Sequence, residues 1–278
     1  MDRIIRFFSD TGSTLAFAII SAIFAFLPED FFKYGIIQCD WSWTAIIIMN
    51  RILISCAIFV IVNVVYYYYK KNRTSVIIRG KSFSIIVEYG DILQISEGKK
   101  VINFDECFST NVGHEPKDIK PASICGQYLA KHTTSDIDNL IKEAKIQPIG
   151  ISLVHDKPSY KLGTIVPHND HFLMAFTKLD QDGLSRMTYN QYLDCLNNLW
   201  MQIDMYHGTD DVYIPILGSK ITRFDKELTQ QDLLNIMVAS YLLSPYKMKQ
   251  PCALHIVCRK REGFSLNAVL GVDQLVEI

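Results

Sequence analysis

Two long apolar runs stand at the start of the chain, ahead of about 200 residues of mixed sequence. The first extends from Thr11 to Leu27 and is broken by Pro28-Glu29-Asp30. The second extends from Thr44 to Tyr69 and ends in Lys70-Lys71-Asn72-Arg73. A helix crossing the hydrocarbon core needs about 20 apolar residues, with about 17 still workable. The first run is at the short end and carries no charge. Asp2 beside Arg3, with no small-x-small cleavage site, sets it apart from a removable signal peptide and favours a signal-anchor helix. The second run holds Asn50 and Arg51. If the span begins at Ile52, Arg51 is interfacial and snorkels to the headgroups. If it begins at Thr44, Arg51 lies about two turns deep and needs a partner or a watery path.

Basic residues orient such a hairpin. Arg3 and Arg6 precede the first run, and Lys70, Lys71, Arg73, Arg79 and Lys81 follow the second. The connecting loop sets Lys33 against Glu29, Asp30 and Asp40. Both ends are therefore expected on the cytoplasmic side. Trp41, Trp43 and Tyr66 to Tyr69 suit the two interfacial aromatic belts. The expected organisation is a two-helix transmembrane hairpin over 1–73 and one domain over 74–278, with the chain multi-pass in the inner membrane and its domain cytoplasmic.

The net charge of −1 leaves no basic domain or basic helix, and nucleic acid is not an expected partner. Seven cysteines are scattered without a C-x-x-C pair, which argues against a disulfide framework or cysteine-rich zinc site and fits a reducing cytoplasm.

Beyond residue 74, strand and helix patterns alternate. Val76–Ile78, Phe83–Tyr89, Val101–Phe104, Gly163–Pro167, Phe172–Thr177, Val212–Ile216 and Leu254–Cys258 read as strands. Helices are expected over 124–131, from an N-cap at Ser135, over 188–206 with a Thr188/Gln191 capping box, and from Thr229 to about Leu243. Tyr192, Leu196, Leu199 and Ile203 mark one inward helix face, and Leu233, Ile236, Met237 and Tyr241 another. Such alternation predicts an α/β layered sheet, with ligands beyond the carboxyl ends of its strands.

Two segments occupy strand-end positions. Gly90-Asp91-Ile92 closes one strand, and Pro215-Ile216-Leu217-Gly218-Ser219-Lys220-Ile221-Thr222-Arg223 follows another. An aspartate at a strand end can accept from an exocyclic amine. A loop with a glycine, hydroxyls and free backbone N–H groups can hold phosphate oxygens. Arg223 and Lys220 add positive charge, and Arg suits bidentate phosphate contact. Together and in this order, these segments resemble the macro domain, an ADP-ribose-binding family, over most of residues 83–258. The resemblance implies a three-layer α/β/α domain with a mixed central sheet. It implies that Asp91 takes the adenine amino group and that the Gly218 loop wraps the diphosphate.

Two departures stand out. Hydrolytic macro domains carry an Asn and a glycine-rich loop after the second strand. Phe104-Asp105-Glu106-Cys107-Phe108-Ser109-Thr110 stands there instead, and Lys220 replaces a second loop glycine. The pattern is similar to a divergent macro branch of Thoeris-type anti-phage systems, in which a TIR-domain partner makes an ADP-ribose-derived signal from NAD. Phe104, Asp105, Phe108 and Thr110, the Ser123-Ile124-Cys125-Gly126 helix start and Leu217-Gly218-Ser219 carry that likeness. It implies a membrane effector that binds a nucleotide-derived messenger, assembles into homo-oligomers and disrupts the membrane. The implied ligand-binding residues are Asp91, Ile92, Asp105, Phe108, Thr110, Pro215, Leu217, Gly218, Ser219, Lys220, Thr222 and Arg223, with no catalytic residue, metal or cofactor. The competing readings are a membrane-anchored ADP-ribosyl hydrolase or NAD-product-processing enzyme, and a tethered scaffold without ligand. His168-Asn169-Asp170-His171 reads as a solvated loop rather than a metal site, and the adjacent Asp105 and Glu106 point opposite ways rather than forming an acid/base pair.

Overall fold

The computed structural model describes residues 10–33, 42–132, 137–219, 222–260 and 263–272. The chain divides into two compact units, Met1–Arg73 and Thr74–Ile278.

In the first unit, helix α1 (Asp10–Phe26) and the short α2 (Glu29–Lys33) are separated at Pro28, which cannot supply a helical N–H. Helix α3 (Trp43–Lys71) begins at Ser42, whose Oγ accepts from the Ala45 N–H at 3.4 Å. Among the described residues, α3 is the helix long and apolar enough to cross a membrane. The first run forms a shorter apolar helix of 17 residues, so a two-span hairpin is not established by length alone. Ile48, Ile52, Leu53, Val60, Ile61 and Val65 of α3 are exposed, which is costly in water and suits an apolar surrounding. Because α3 begins at Trp43, Arg51 lies about two turns inside the helix. Arg51 Nη2 sits 3.6 Å from Glu29 Oε1, and its guanidinium lies 4.9 Å from the Phe32 ring centre. Asn50 Nδ2 donates to the Phe32 carbonyl at 2.9 Å. Asn50 and Arg51 of the apolar helix thus both engage α2. Arg3, Arg6 and Trp41 lie outside the described residues.

The second unit is built on a mixed sheet. Its strands are β1 (Ser75–Arg79), β2 (Ser84–Tyr89), β3 (Lys99–Asp105), β6 (Ile165–His168), β7 (His171–Leu179), β8 (Ser185–Met187), β9 (Val212–Pro215), β10 (Arg223–Phe224) and β11 (Leu254–Cys258). The order is β1-β2-β11-β9-β3-β7-β8-β10, with β6 against β7. Strands β2, β11, β9, β3 and β7 run parallel, so their carboxyl ends meet at one edge. A separate hairpin pairs β4 (Gly150–Ile151) with β5 (Pro158–Ser159). These elements and β10 are two residues long, too short to print an alternation in the sequence.

Alternation along β3 explains the layering. Val101 enters a core shared with α6 (Tyr189–Tyr206) and α7 (Gln230–Leu243). Ile102 and Phe104 enter a second core with α4 (Ile124–Lys131) and α5 (Ile137–Glu143) on the other face. The result is α/β/α. Thr188 and Thr229 make capping boxes with Gln191 and Asp232, fixing where α6 and α7 begin. Tyr192, Leu196, Leu199 and Ile203 are fully buried. Trp200 Nε1 donates to Ser240 Oγ at 3.0 Å and ties α6 to α7. The expected N-cap at Ser135 lies outside the described residues.

Candidate ligand-binding site

A cleft opens beyond the shared carboxyl ends of the parallel strands. Its space, open solvent included, is about 1400 Å³. One wall is the turn after β2. Gly90 N–H donates to the Cys258 carbonyl at 3.0 Å and locks that turn to the end of β11. Asp91 Oδ1 accepts from Leu93 N–H at 3.2 Å, capping a single helical turn whose Ile92 is buried. Asp91 is thus a cap and a cleft residue at once. Arg259 Nη2 lies 3.8 Å from the same oxygen.

The opposite wall is the loop after β9. Pro215, Ile216, Gly218, Ser219 and Thr222 line the cleft. Gly218 has φ +79, and a Cβ there would meet the Phe224 ring at 2.7 Å. Both facts demand glycine. Gly218→Ala should therefore cost about 2 kcal/mol of domain stability, read by chemical denaturation. Unchanged stability would mean that the loop relaxes freely. A bulkier residue at 218 perturbs the loop itself, so ligand loss in such a variant is not a clean sign of a blocked phosphate.

The floor is the end of β3. Asp105 is 8% exposed. Its Oδ1 accepts from the N–H groups of Cys107 at 3.0 Å and Ser109 at 2.9 Å, and its Oδ2 lies 3.3 Å from His155 Nε2. This carboxylate organises the turn that stands where an Asn and glycine loop were missing from the sequence. Phe108 takes φ 52 within that turn, a conformation costly for a bulky residue. Its ring is held in the second core, 5.7 Å from Tyr160 and 6.0 Å from Phe104. Burial pushes the Cys107 thiol up to about 11, which keeps it protonated at neutral pH, and burial also raises the Glu106 carboxyl.

Of the residues singled out in the sequence, Asp91, Ile92, Asp105, Pro215, Gly218, Ser219 and Thr222 come together around this cleft. Phe108 is a core residue, 3% exposed. Leu217 is fully buried behind the loop, and its carbonyl accepts from the Tyr192 hydroxyl at 3.3 Å. Thr110 is exposed and does not line the cleft. Arg223 lies in a separate groove with Lys178 and Arg186, because neighbouring residues on an extended segment point opposite ways. Lys220 lies outside the described residues. The sequence reading missed Arg259, Lys117, Lys120 and Gln230, which also line the cleft. Arg259 carried a signal, since it directly follows a strand, but only the sheet order places that strand between β2 and β9. The Ser123 helix start does reach the cleft, with Ser123 Oγ accepting from Gly126 N–H at 3.0 Å. Among the described residues no His, Cys, Asp and Glu group is set to hold a metal ion.

A three-layer α/β/α domain with a mixed sheet, an acid closing one parallel strand and a glycine loop following another at the same edge defines a divergent macro domain. The family model described as "Thoeris protein ThsA, Macro domain" matches residues 85–259, and the chain belongs to that family. The chain is 28% identical over 232 residues to "Thoeris protein ThsA" of Bacillus amyloliquefaciens (strain Y2), covering 80% of this chain and 77% of that protein. Among solved structures, the macrodomain of Thermus aquaticus DarG aligns over 66% of this chain and 100% of its own, at 11% identity and a TM-score of 0.39. Macro domains bind ADP-ribose derivatives, and Thoeris is an anti-phage defence system.

Proposed function

We propose that this chain is a ligand-gated membrane effector of Thoeris-type anti-phage defence. Its domain takes an ADP-ribose-derived signal made from NAD by a TIR-domain enzyme. The bound state gathers several chains and disrupts the inner membrane. One observation carries the reading: the Asp91 turn and the Gly218-Ser219 loop converge on one cleft, in a chain that also carries the apolar helix α3. An amine acceptor at one wall and backbone donors at the other suit a ligand with an adenine at one end and phosphates beyond it. A pair of spans cannot enclose a pore, so the reading requires several copies.

Titration calorimetry of the full chain in detergent with millimolar ADP-ribose, with product analysis of the same sample, tests it. Binding heat without turnover is the expected result. Asp91→Ala should weaken binding about tenfold, and Arg223→Ala should leave it unchanged. Turnover of the ligand would favour the membrane-anchored hydrolase, and no heat at all would favour the scaffold.

Membrane action has its own test. Full-length protein with ligand should release dye from loaded vesicles, and residues 74–278 alone should not. Arg51→Leu removes the charge that faces Glu29 and should abolish leakage while ligand binding persists. Leakage equal to wild type would reduce Arg51 to an anchor between α3 and α2.

A further inference from the structure

The β4–β5 hairpin is a two-stranded sheet of its own, in which β4 keeps one open edge. Pairing extends beyond the strands, since Ile149 N–H donates to the Ser159 carbonyl and Ser152 N–H to the Lys157 carbonyl, both at 2.8 Å. Ile149 and Ile151 share one face of the strand and are each 69% exposed; Leu153 follows in the turn at 80%. A lone exposed aliphatic residue is ordinary, but three within five positions on one hairpin are a mark of an interaction site. The tip carries Asp156 and Lys157 side by side and exposed.

This hairpin is fastened to the floor of the ligand cleft. Tyr160 N–H donates to the Glu106 carbonyl at 2.8 Å. His155 Nε2 lies 3.3 Å from Oδ2 of Asp105, the buried carboxylate that lines the cleft. A ligand that moves Asp105 must therefore move the turn bearing His155.

We infer that the hairpin is a self-association surface whose occupant is a second copy of this chain, the two copies meeting hairpin to hairpin about a two-fold axis. An isologous contact needs a patch that complements itself. The aliphatic stripe does so, and open strand edges pair with their own copy without a dedicated partner. The adjacent acid and base at the tip complete it, because a two-fold axis sets the Asp156 of each copy against the Lys157 of the other. A bilayer would be met by a basic cluster of one sign around the apolar residues, whereas the tip is a balanced pair and the groove beside Leu153 sets Lys178, Arg186 and Arg223 against Asp180 and Asp225. The surface stands on the hairpin alone; its control by ligand through Asp105 rests on the function proposed above.

The test measures the assembly of the full chain in detergent by analytical ultracentrifugation, across protein concentration and with or without millimolar ADP-ribose. Wild type should assemble with rising concentration, and at lower concentration once ADP-ribose is bound. Ile151→Glu should raise the assembly midpoint about tenfold or more while thermal melting and binding heat stay as in wild type, and Ile151→Val should behave as wild type. Lys157→Glu and Asp156→Lys should each assemble poorly alone, and an equimolar mixture of the two should recover assembly, which only a contact between copies predicts. Absence of binding heat would overturn the proposed ligand yet leave the concentration arm to judge the hairpin. Equal midpoints for wild type and Ile151→Glu, or no recovery on mixing, would overturn the proposal. So would loss of vesicle co-sedimentation in Ile151→Glu with assembly unchanged, which would make the hairpin a lipid contact.

Discussion

Asp105→Ala should destabilise residues 74–278 by about 3 kcal/mol, the cost of leaving two buried backbone N–H groups without an acceptor. The carboxylate is 8% exposed, and one of its oxygens receives both the Cys107 and the Ser109 N–H. The same turn places Phe108 at φ 52 and buries its ring. Alanine would also strip His155 of the oxygen 3.3 Å away. Asp105→Asn keeps an oxygen in the place of Oδ1 and should cost about 1 kcal/mol. Urea denaturation followed by circular dichroism distinguishes the cases. If alanine and asparagine cost the same small amount, Asp105 is not the organiser of the turn, and its place at the cleft has another explanation.

The second large effect is a loss of stability in mild acid. His171 begins β7 and is packed against the Tyr128 ring at 4.9 Å and the His132 ring at 4.9 Å. Burial holds its imidazole down at about 4, against 6.5 for an ordinary histidine; the charge of Asp170 pulls it back up, and His132, Lys100 and His168 push it further down. Below pH 6.5 the unfolded chain binds a proton that the folded chain refuses until about pH 4. Stability therefore falls as pH drops through that window, by about 3 kcal/mol in all. His171→Gln, which cannot titrate, should flatten the fall between these two pH values relative to wild type. Denaturation midpoints measured at intervals across the window provide the check, and parallel curves for the two proteins would refute the assignment. Asp170 behaves the other way: burial alone would raise it, but its hydrogen bond with Lys100 holds it low, so its ion pair persists through the window.

What could be read from the sequence was whatever depends on near neighbours in the chain. The helix over Ile124–Lys131 and the caps at Thr188 and Thr229 were legible because a hydroxyl and its third neighbour suffice to write them. The Asp91 turn and the Gly218 loop were legible as strand ends. Their convergence depends on the order β2-β11-β9, which no local pattern encodes. Arg259 was missed for that reason. Phe108 was misjudged as a ligand contact because the turn that buries it is governed by Asp105 three positions earlier. Arg223 was grouped with Thr222 by proximity in sequence, although adjacent extended residues part company across the backbone. The hairpin at Gly150–Ser159 was invisible, since two-residue strands have no period.

The place of β11 in the sheet has a consequence for how the chain is made. Among the described residues it is the last strand in the sequence, yet it sits between β2 and β9 and brings Val257, and Arg259 just beyond its end, to the cleft. On the ribosome the apolar helix α3 emerges before the sheet, and β2 and β9 wait with open edges for a strand synthesised about 40 residues after β9. The cleft is therefore incomplete until residues 254–259 have been made. A chain cut short before Leu254 would lack Val257 and Arg259 of the cleft and leave the facing edges of β2 and β9 unpaired.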